Sequence, residues 1–256
     1  MENTHISLFR NLSDKSPQDI TLSEFLQLGK QYLNTINQVR LCTEKTDRDR
    51  IKRSLLPAAT ISAVLSTRES SQPLEKRIIC YNPLLVLDFD NLPDIEEAKR
   101  ILATLPYVYY AGLSVSGRGL FAIIPIAAQD HTQHKTYFHA LEKEMQTLGL
   151  TIDKACKDVT RLRVVSYDEN PYINPDCIIY TLPEAPDATE ASAAEEYAGK
   201  FEAIGYVLET EFIRDTIGQK PMEKMQSEVT FTQALVEFVE VGDGQGEREN
   251  SEAVQE

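Results

Sequence analysis

The sequence lacks several features that would assign it to a class at once. No stretch approaches the roughly 18 uninterrupted apolar residues of a membrane-spanning helix. The N-terminus has no basic segment followed by an apolar run, which is the pattern of a secretory signal. The four cysteines are scattered without Cys-x-x-Cys spacing, so neither a zinc ribbon nor a disulfide framework is indicated. These absences predict a cytoplasmic protein with reduced thiols and no membrane partner.

Basic residues are scarce only in the last quarter of the chain. The 256 residues carry a formal net charge of -14. Residues 1–180 contain 22 acidic and 21 basic residues, a balance of -1, whereas residues 181–256 contain 18 acidic and 5 basic residues, a balance of -13. The neutral first part can hold a basic cleft beside an acidic site, so the overall charge does not exclude a nucleic-acid partner.

Hydrophobic periodicity changes along the chain and indicates an α+β fold. Helical spacing covers residues 22–40 after a capping box formed by Thr21 and Glu24, and a charged helix is predicted over residues 44–54. Further on, short apolar and β-branched runs predict a mixed sheet of at least five strands with two helices against it. The predicted strands cover residues 84–87, 107–115, 120–126, 160–166 and 178–182, and the two helices cover residues 95–105 and 131–148.

Composition divides the chain into three parts. Residues 1–60 are predicted to form an N-terminal helical subregion packed on the core, and residues 61–182 to form the α+β core. Residues 183–256 are predicted to be an acidic extension. It begins as a linker, continues with helical patterns over residues 191–216 and 222–239, and ends in a disordered tail.

A pair of acids follows the apolar strand at residues 84–87. Alternate side chains of a strand share a face, so Asp88 and Asp90 are expected to project together while Phe89 points into the core. Neighbouring carboxylates repel each other unless a cation lies between them, and hard oxygen ligands suit Mg²⁺ or Mn²⁺. The alternative is a solvated strand end, because Asp is common where strands stop.

Two further motifs offer groups that bind phosphate. The first is a tight turn whose glycines expose backbone amides and whose other side chains add donors: Ser114, Ser116, Gly117, Arg118 and Gly119. A plain hairpin explains the same glycines. In the second motif, Asp153 or Asp158 precedes a strand that carries Arg161 and Arg163 on one face, which suits a metal ligand and two phosphate-binding guanidiniums. An internal network of ion pairs among these four residues is an equally good explanation.

Three histidines near the start of the second predicted helix do not indicate a zinc site. His131 and His134 could share a helical face, but His139 is out of phase with a third ligand position. The polar neighbours of these histidines predict side chains that are exposed to solvent.

The order of these motifs is itself informative. The relevant stretches are KRSLLPAAT at residues 52–60, LDFDN at 87–91, SVSGRGL at 114–120, and DKACKDVTRLR from residue 153 with SYD shortly after it. An acidic pair, a Ser-Gly-x-Gly turn and an acid before an Arg-rich strand resemble the layout of the archaeo-eukaryotic primase superfamily. More closely, the chain resembles the N-terminal domain associated with virulence-associated protein E (VirE) of bacterial mobile elements. The resemblance covers about residues 5–182 and implies a primase-polymerase-like mixed sheet flanked by helices.

This resemblance implies a set of catalytic residues. Asp88, Asp90 and Asp153 would be the catalytic acids and metal ligands, with Asp158 as the alternative to Asp153. In the superfamily such acids hold two divalent ions that activate a primer 3′-hydroxyl and steady the leaving pyrophosphate, which implies Mg²⁺ or Mn²⁺ as cofactor. The Ser-Gly-x-Gly turn and the two arginines of the last motif would bind the phosphates of the nucleotide.

The second motif departs from the family pattern at one position. It usually reads Ser-Gly-x-Gly-x-His, with the His contacting the phosphates of the incoming nucleotide, but Phe121 stands in that position. A phenyl ring neither donates a hydrogen bond to phosphate nor carries charge. The resemblance therefore implies a domain of weakened catalysis that binds DNA or nucleotides in the replication or transfer of DNA.

Two alternatives to this interpretation stay open. The retained acids and arginines favour an active two-metal nucleotidyltransferase, a DNA primase or polymerase, whereas an occluded acidic groove would favour a protein-interaction module. Because the family often carries a helicase or a second replication module, a separate helicase or replication protein is an expected partner. The acidic C-terminal part is expected either to lie over a basic groove or to link the domain to that partner.

Overall fold

Short strands and helices alternate through residues 1–183, the part of the chain that the computed structural model describes. The helices are α1 (Leu22–Leu28), α2 (Leu33–Leu41), α3 (Lys45–Leu55), α4 (Leu74–Arg77), α5 (Ile95–Thr104) and α6 (His134–Thr147). The strands are β1 (His5–Phe9), β2 (Gln18–Thr21), β3 (Ala58–Thr60), β4 (Ala63–Leu65), β5 (Ile78–Tyr81), β6 (Leu84–Phe89), β7 (Tyr110–Leu113), β8 (Leu120–Pro125), β9 (Leu162–Val164) and β10 (Tyr172–Ile173). Two 3₁₀ turns cover Gly29–Tyr32 and Lys154–Lys157.

The strands form three antiparallel sheets. The first sheet has the order β2-β1-β3-β9, the second has the order β10-β7-β8-β6, and β4 pairs with β5 alone. The α+β class is therefore confirmed, but the prediction of a mixed sheet of at least five strands is wrong. Within residues 1–183, parallel pairing is limited to an isolated bridge between Ile126 and Tyr180. The strand predicted at residues 178–182 forms no more than this bridge. A short hairpin can join two antiparallel strands, as it joins β7 and β8, whereas two parallel strands need a long crossover connection.

The N-terminal part contributes strands as well as helices. β1, β2 and β3 build the first sheet together with β9, which comes from the other end of the described chain. The predicted helical subregion at residues 1–60 therefore contains α1, α2 and α3 but also the strands β1, β2 and β3. Runs of four or five residues are too short to show a hydrophobic period, so their partners in the sheet decide their conformation.

The local helix signals are confirmed where they were strong. α1 begins after a capping box in which the Thr21 side chain accepts a hydrogen bond from the Glu24 backbone and the Glu24 carboxylate accepts one from the Thr21 backbone. The predicted helix 95–105 is α5, and the Asp94 side chain caps it by accepting a hydrogen bond from the Glu97 N–H at 2.9 Å. The predicted charged helix 44–54 is α3.

Apolar clusters cover both faces of the second sheet. On β6, the residues Leu85, Leu87 and Phe89 belong to the cluster that includes the buried residues of α5 and α6. Leu84 and Val86 lie against the other cluster, which includes the buried residues of α1 and α2. Phe89 therefore points into the core, as predicted, and Asp88 projects from the opposite face of the strand.

One histidine contradicts the prediction of solvent exposure. His134 is only 1% exposed, and its Nδ1 lies 3.0 Å from the hydroxyl oxygen of Tyr81. The first turn of α6 packs against that tyrosine, and desolvation lowers the pKa of His134 to about 4. His139 is exposed, in agreement with the prediction.

Residues 184–256 lie outside the described residues. The predicted helices at 191–216 and 222–239 and the predicted disordered tail fall in this part. Within residues 1–183, no helix combines the length and the apolar content that a bilayer crossing requires.

Candidate functional site

Three segments of the chain meet where β6 ends. Asp88 is the second-last residue of that strand, Asp153 precedes the 3₁₀ turn Lys154–Lys157, and Arg163 lies in the middle of β9. The backbone N–H of Asp153 donates a 2.9 Å hydrogen bond to the backbone carbonyl of Asp88, which ties the turn to the strand. The Asp153 side chain also accepts a 2.9 Å hydrogen bond from the N–H of Ala155 and so caps the turn.

Asp88 forms a shielded ion pair with Arg163. The two side chains are only 15% and 8% exposed, and the guanidinium approaches Oδ1 of the carboxylate. The same guanidinium lies over the ring of Phe121, with its central carbon 4.6 Å from the ring centroid. Desolvation lowers the pKa of Arg163 to about 10, so the guanidinium is still charged at neutral pH.

Phe121 is the platform beneath that ion pair. It stands directly opposite Asp88 in the register of β6 and β8, and its side chain is fully buried. The ring of Tyr110 also lies close, 5.0 Å away between centroids and at an angle of 35°. The position where the resembled family carries a His is therefore packed against two side chains of this chain.

Asp153 is the more accessible of the two acids. It forms a second ion pair, in which a guanidinium nitrogen of Arg161 lies 2.7 Å from Oδ2. These side chains are 30% and 43% exposed, so solvent reaches both of them. One pair of the predicted ion-pair network thus exists, between Asp153 and Arg161, whereas Arg163 pairs with Asp88, which the predicted network did not include.

A cysteine completes a cluster of potential metal ligands. One ligand atom each from Asp88, Asp153 and Cys156 all lie within 4.8 Å of one another. The Cys156 side chain is 2% exposed, and burial together with the nearby Asp153 carboxylate raises the pKa of its thiol to about 12. Sequence spacing did not point to this residue, because it stands alone and its role depends on the 3₁₀ turn that faces β6.

The remaining predicted acids are not members of this cluster. Asp90 lies beyond the end of β6 and is exposed, whereas the side chain of Asp88 is largely shielded from water. Asp158 accepts hydrogen bonds at 2.9 Å from the backbone N–H and the hydroxyl of Thr160, and so stabilises the loop that leads into β9. Among residues 1–183, the structure therefore brings Asp88 and Asp153 together with Cys156.

The predicted phosphate-binding turn is closed by its own hydrogen bonds. The N–H of Ser114 donates to the carbonyl of Gly119 at 2.8 Å, and the N–H of Gly117 donates to the carbonyl of Ser114 at 2.9 Å. The hydroxyls of Ser114 and Ser116 lie 3.1 Å apart, and the Arg118 side chain is exposed. The side chain of Arg118, rather than these two amides, is what this turn presents to solvent.

Two glycines are required by the shape of this turn. Gly117 has a φ of +68°, which glycine adopts without strain. A Cβ on Gly119 would lie 2.0 Å from the backbone oxygen of Phe89, so the turn packs directly against the end of β6. The side chain of Arg40 lies beside the turn, because a Cβ on Gly117 would be 3.4 Å from its Cδ.

Two cations near the site are not among the predicted site residues, although Lys52 begins one of the motif stretches. Lys52 of α3 is largely buried, and desolvation lowers its pKa while Asp49 and Asp90 act in the opposite direction. Desolvation also lowers the pKa of Arg40, whose guanidinium donates a hydrogen bond to the carbonyl of Tyr167. In the sequence Lys52 is one of several charged residues of α3, and only the packing of α3 distinguishes it from the others.

The comparison with protein families gave one match. Residues 50–173 match the family described as BT4734-like, N-terminal domain. This stretch is just under half of the chain and contains every residue of the site, from Asp88 to Arg163. It leaves out β1, β2, α1 and α2. Comparisons with curated proteins and with solved structures found no match.

Proposed function

We propose that the chain is a primase-polymerase-like domain of the VirE N-terminal type, which binds nucleotides or DNA during the replication or transfer of a bacterial mobile element. The observation that carries the proposal is the meeting of Asp88 and Asp153, from distant segments, beside Arg161 and Arg163. The match of residues 50–173 to the BT4734-like N-terminal domain supports it, because the same stretch contains the whole motif order.

In this proposal the two carboxylates hold a divalent cation, Mg²⁺ or Mn²⁺ by the resemblance. Their oxygens are close enough to share an ion, and Arg161 and Arg118 are the exposed guanidiniums that can bind the phosphates of a nucleotide or a DNA strand. A bound cation would neutralise the acids and bring the phosphates to the same place.

The packing around Phe121 supports weakened catalysis. Arg163 already neutralises Asp88 and covers the ring of Phe121, and Asp90 is not part of the ligand cluster. A two-ion mechanism needs both ions held between the nucleophile and the leaving group. A domain with one shielded acid and one exposed acid is better suited to binding than to nucleotidyl transfer.

The test measures binding and catalysis on the full chain. Binding of a labelled nucleoside triphosphate and of a labelled DNA strand is measured at fixed salt with Mg²⁺ or Mn²⁺. Arg161→Met should weaken binding at least tenfold, because it removes an exposed phosphate-binding group. Arg100→Met is the control, since Arg100 is also an exposed partner in an ion pair but lies on α5. An equal effect of both changes would contradict the proposal.

Incorporation of nucleotide on a primed template with Mn²⁺ separates binding from catalysis. The proposal expects incorporation near the background level in the parent. Clear incorporation that is lost in the double variant Asp88→Ala/Asp90→Ala would instead identify an active nucleotidyltransferase.

A protein-interaction module is the second candidate, and it is favoured by exposed apolar residues. Ile173, Ile178 and Ile179 are all exposed at the end of the described chain. Such residues suit contact with a separate helicase or replication protein. Failure of the parent to bind any nucleotide or DNA strand, with either metal, would favour this candidate.

A further inference from the structure

We infer that Asp88, Asp153 and Cys156 form a site for a divalent ion that accepts a thiolate ligand, Zn²⁺ in particular, in preference to Mg²⁺. The inference rests on the proposed function for the place of the cation, beside Asp88 and Asp153. It differs in the identity of the ion, because the resemblance implies Mg²⁺ or Mn²⁺ whereas the ligand set of this structure favours Zn²⁺. It replaces the expected third ligand, Asp90, by a sulfur atom.

The ligand set is the first reason. Two carboxylate oxygens and one sulfur lie within 4.8 Å of one another; they come from β6, from the residue that caps one 3₁₀ turn, and from within that turn. Three protein ligands with a free fourth position is the arrangement that zinc takes when it also binds an exchangeable ligand. Mg²⁺ prefers six oxygen ligands and keeps several of its waters, whereas a thiolate selects softer ions.

The burial of Cys156 is the second, independent reason. Its side chain is 2% exposed, and the described structure gives its sulfur no hydrogen bond, although Cys42 and Cys80 each donate one to a carbonyl. Cys156 belongs to the apolar cluster that includes the buried residues of α5 and α6, and its sulfur also lies within 4.8 Å of one oxygen of each carboxylate. A neutral thiol stabilises a carboxylate only weakly, whereas a shared cation would stabilise both carboxylates strongly.

The arginines are compatible with such an ion. Arg163 approaches Oδ1 of Asp88 and leaves Oδ2 of that carboxylate for a metal. Asp153 accepts from Arg161 at Oδ2 and from the Ala155 N–H at Oδ1, but each oxygen has two lone pairs, so one lone pair of either oxygen can still bind a metal. Two carboxylates and one thiolate bring three negative charges, and the metal with two guanidiniums brings four positive ones. The one charge in excess suits an anionic fourth ligand, such as a phosphate oxygen of a nucleotide.

Metal binding at this site releases a proton. The S–H bond of Cys156 breaks, its electron pair forms the bond to the metal, and the proton passes to solvent; no oxidant or reductant takes part. A thiol that binds a metal is deprotonated by it even when its pKa is high in the empty site.

Cobalt(II) is the probe, because a thiolate-to-cobalt charge-transfer band in the near ultraviolet reports a sulfur ligand directly. Titration of the full chain with Co²⁺ should produce this band, and the variant Cys156→Ser should lose it. Cys80→Ser is the matched control, since Cys80 is exposed on β5 and should not affect the band. Zn²⁺ should abolish the band at stoichiometric amounts, whereas Mg²⁺ should not do so even in hundredfold excess.

A second variant guards against loss of folding. Asp153→Asn leaves the cysteine in place and should weaken Co²⁺ binding at least tenfold while the band persists at saturation; far-ultraviolet circular dichroism checks that both variants are folded. Absence of the band in the parent, its survival in Cys156→Ser, or equal displacement by Mg²⁺ would overturn the inference. If nucleotide binding with Mg²⁺ persists in that case, the proposed function stands although the inference fails. If the band forms but the chain binds no nucleotide or DNA, the inference stands and the proposed function fails.

Discussion

Breaking the ion pair between Asp88 and Arg163 is expected to destabilise the protein strongly. Both side chains are largely shielded from water, and Arg163 also stacks on Phe121. The variant Arg163→Met keeps an unbranched apolar stem over the ring but leaves the Asp88 carboxylate without its counter-charge. The exposed pair of Arg161 and Asp153 provides an internal control in the same strand region.

The magnitudes follow from burial. Removal of one partner of a buried ion pair costs about 3–5 kcal/mol, and the 15% exposure of Asp88 places the expected loss at the lower end, about 3 kcal/mol. The change Arg161→Met should cost less than about 1 kcal/mol, because water screens and solvates that pair. In a double-mutant cycle of Arg163→Met and Asp88→Asn, the coupling should be about 2 kcal/mol.

Urea unfolding of the full chain, followed by far-ultraviolet circular dichroism, measures these free energies; the sequence contains no tryptophan to serve as a fluorescence probe. The stability should fall in the order parent, Arg161→Met, Arg163→Met. A loss in Arg163→Met no greater than that in Arg161→Met, or a cycle without coupling, would refute the argument from burial.

Three further changes test other parts of the structure. The pKa of His134 is about 4 in the folded protein and 6.5 in the unfolded chain, so the unfolded chain binds more protons between these pH values. The free energy of unfolding should therefore fall by roughly 3 kcal/mol as the pH drops from 6.5 to 4, and urea titrations of His134→Asn should show a weaker pH dependence. Gly119→Ala should lower the free energy of unfolding by at least about 2 kcal/mol, because its Cβ would meet a backbone oxygen, whereas Gly149→Ala, with a φ of +74° and open space, should cost about 1 kcal/mol. A thiol-specific disulfide reagent should modify exposed Cys80 within minutes and buried Cys156 only on unfolding; early modification of Cys156 would contradict its burial.

Much of the fold could be predicted where a local signal determines the element. The Asp94 cap fixes the start of α5, and the glycines of the Ser114–Gly119 turn fix the hairpin of β7 and β8. The first sheet could not be predicted in this way, because β9 pairs with β3 across about a hundred intervening residues. Such pairing depends on which strand edges are left free, and no short window of sequence contains that information.

In the candidate site, the closeness of the two acids could be predicted from the sequence, but the burial of the side chains could not. The order of the motifs predicted one site for Asp88 and Asp153, and their side chains do lie close together, whereas Arg161 and Arg163 do not share one environment. Arg161 precedes β9 and is exposed, while Arg163 lies within that strand, in the interior beside Phe121. Burial of a charged side chain is set by what packs over it, and a sequence that reads Arg-x-Arg gives both residues the same expectation.

The hydrogen bond from the Asp153 N–H to the Asp88 carbonyl has a consequence for redesign. It joins two segments through main-chain atoms, which every residue except proline supplies at position 153. Substitutions at either position would therefore keep this main-chain hydrogen bond and the distance between the two Cα atoms. Histidine or cysteine could replace either aspartate to change the ligand set while the backbone stays in place.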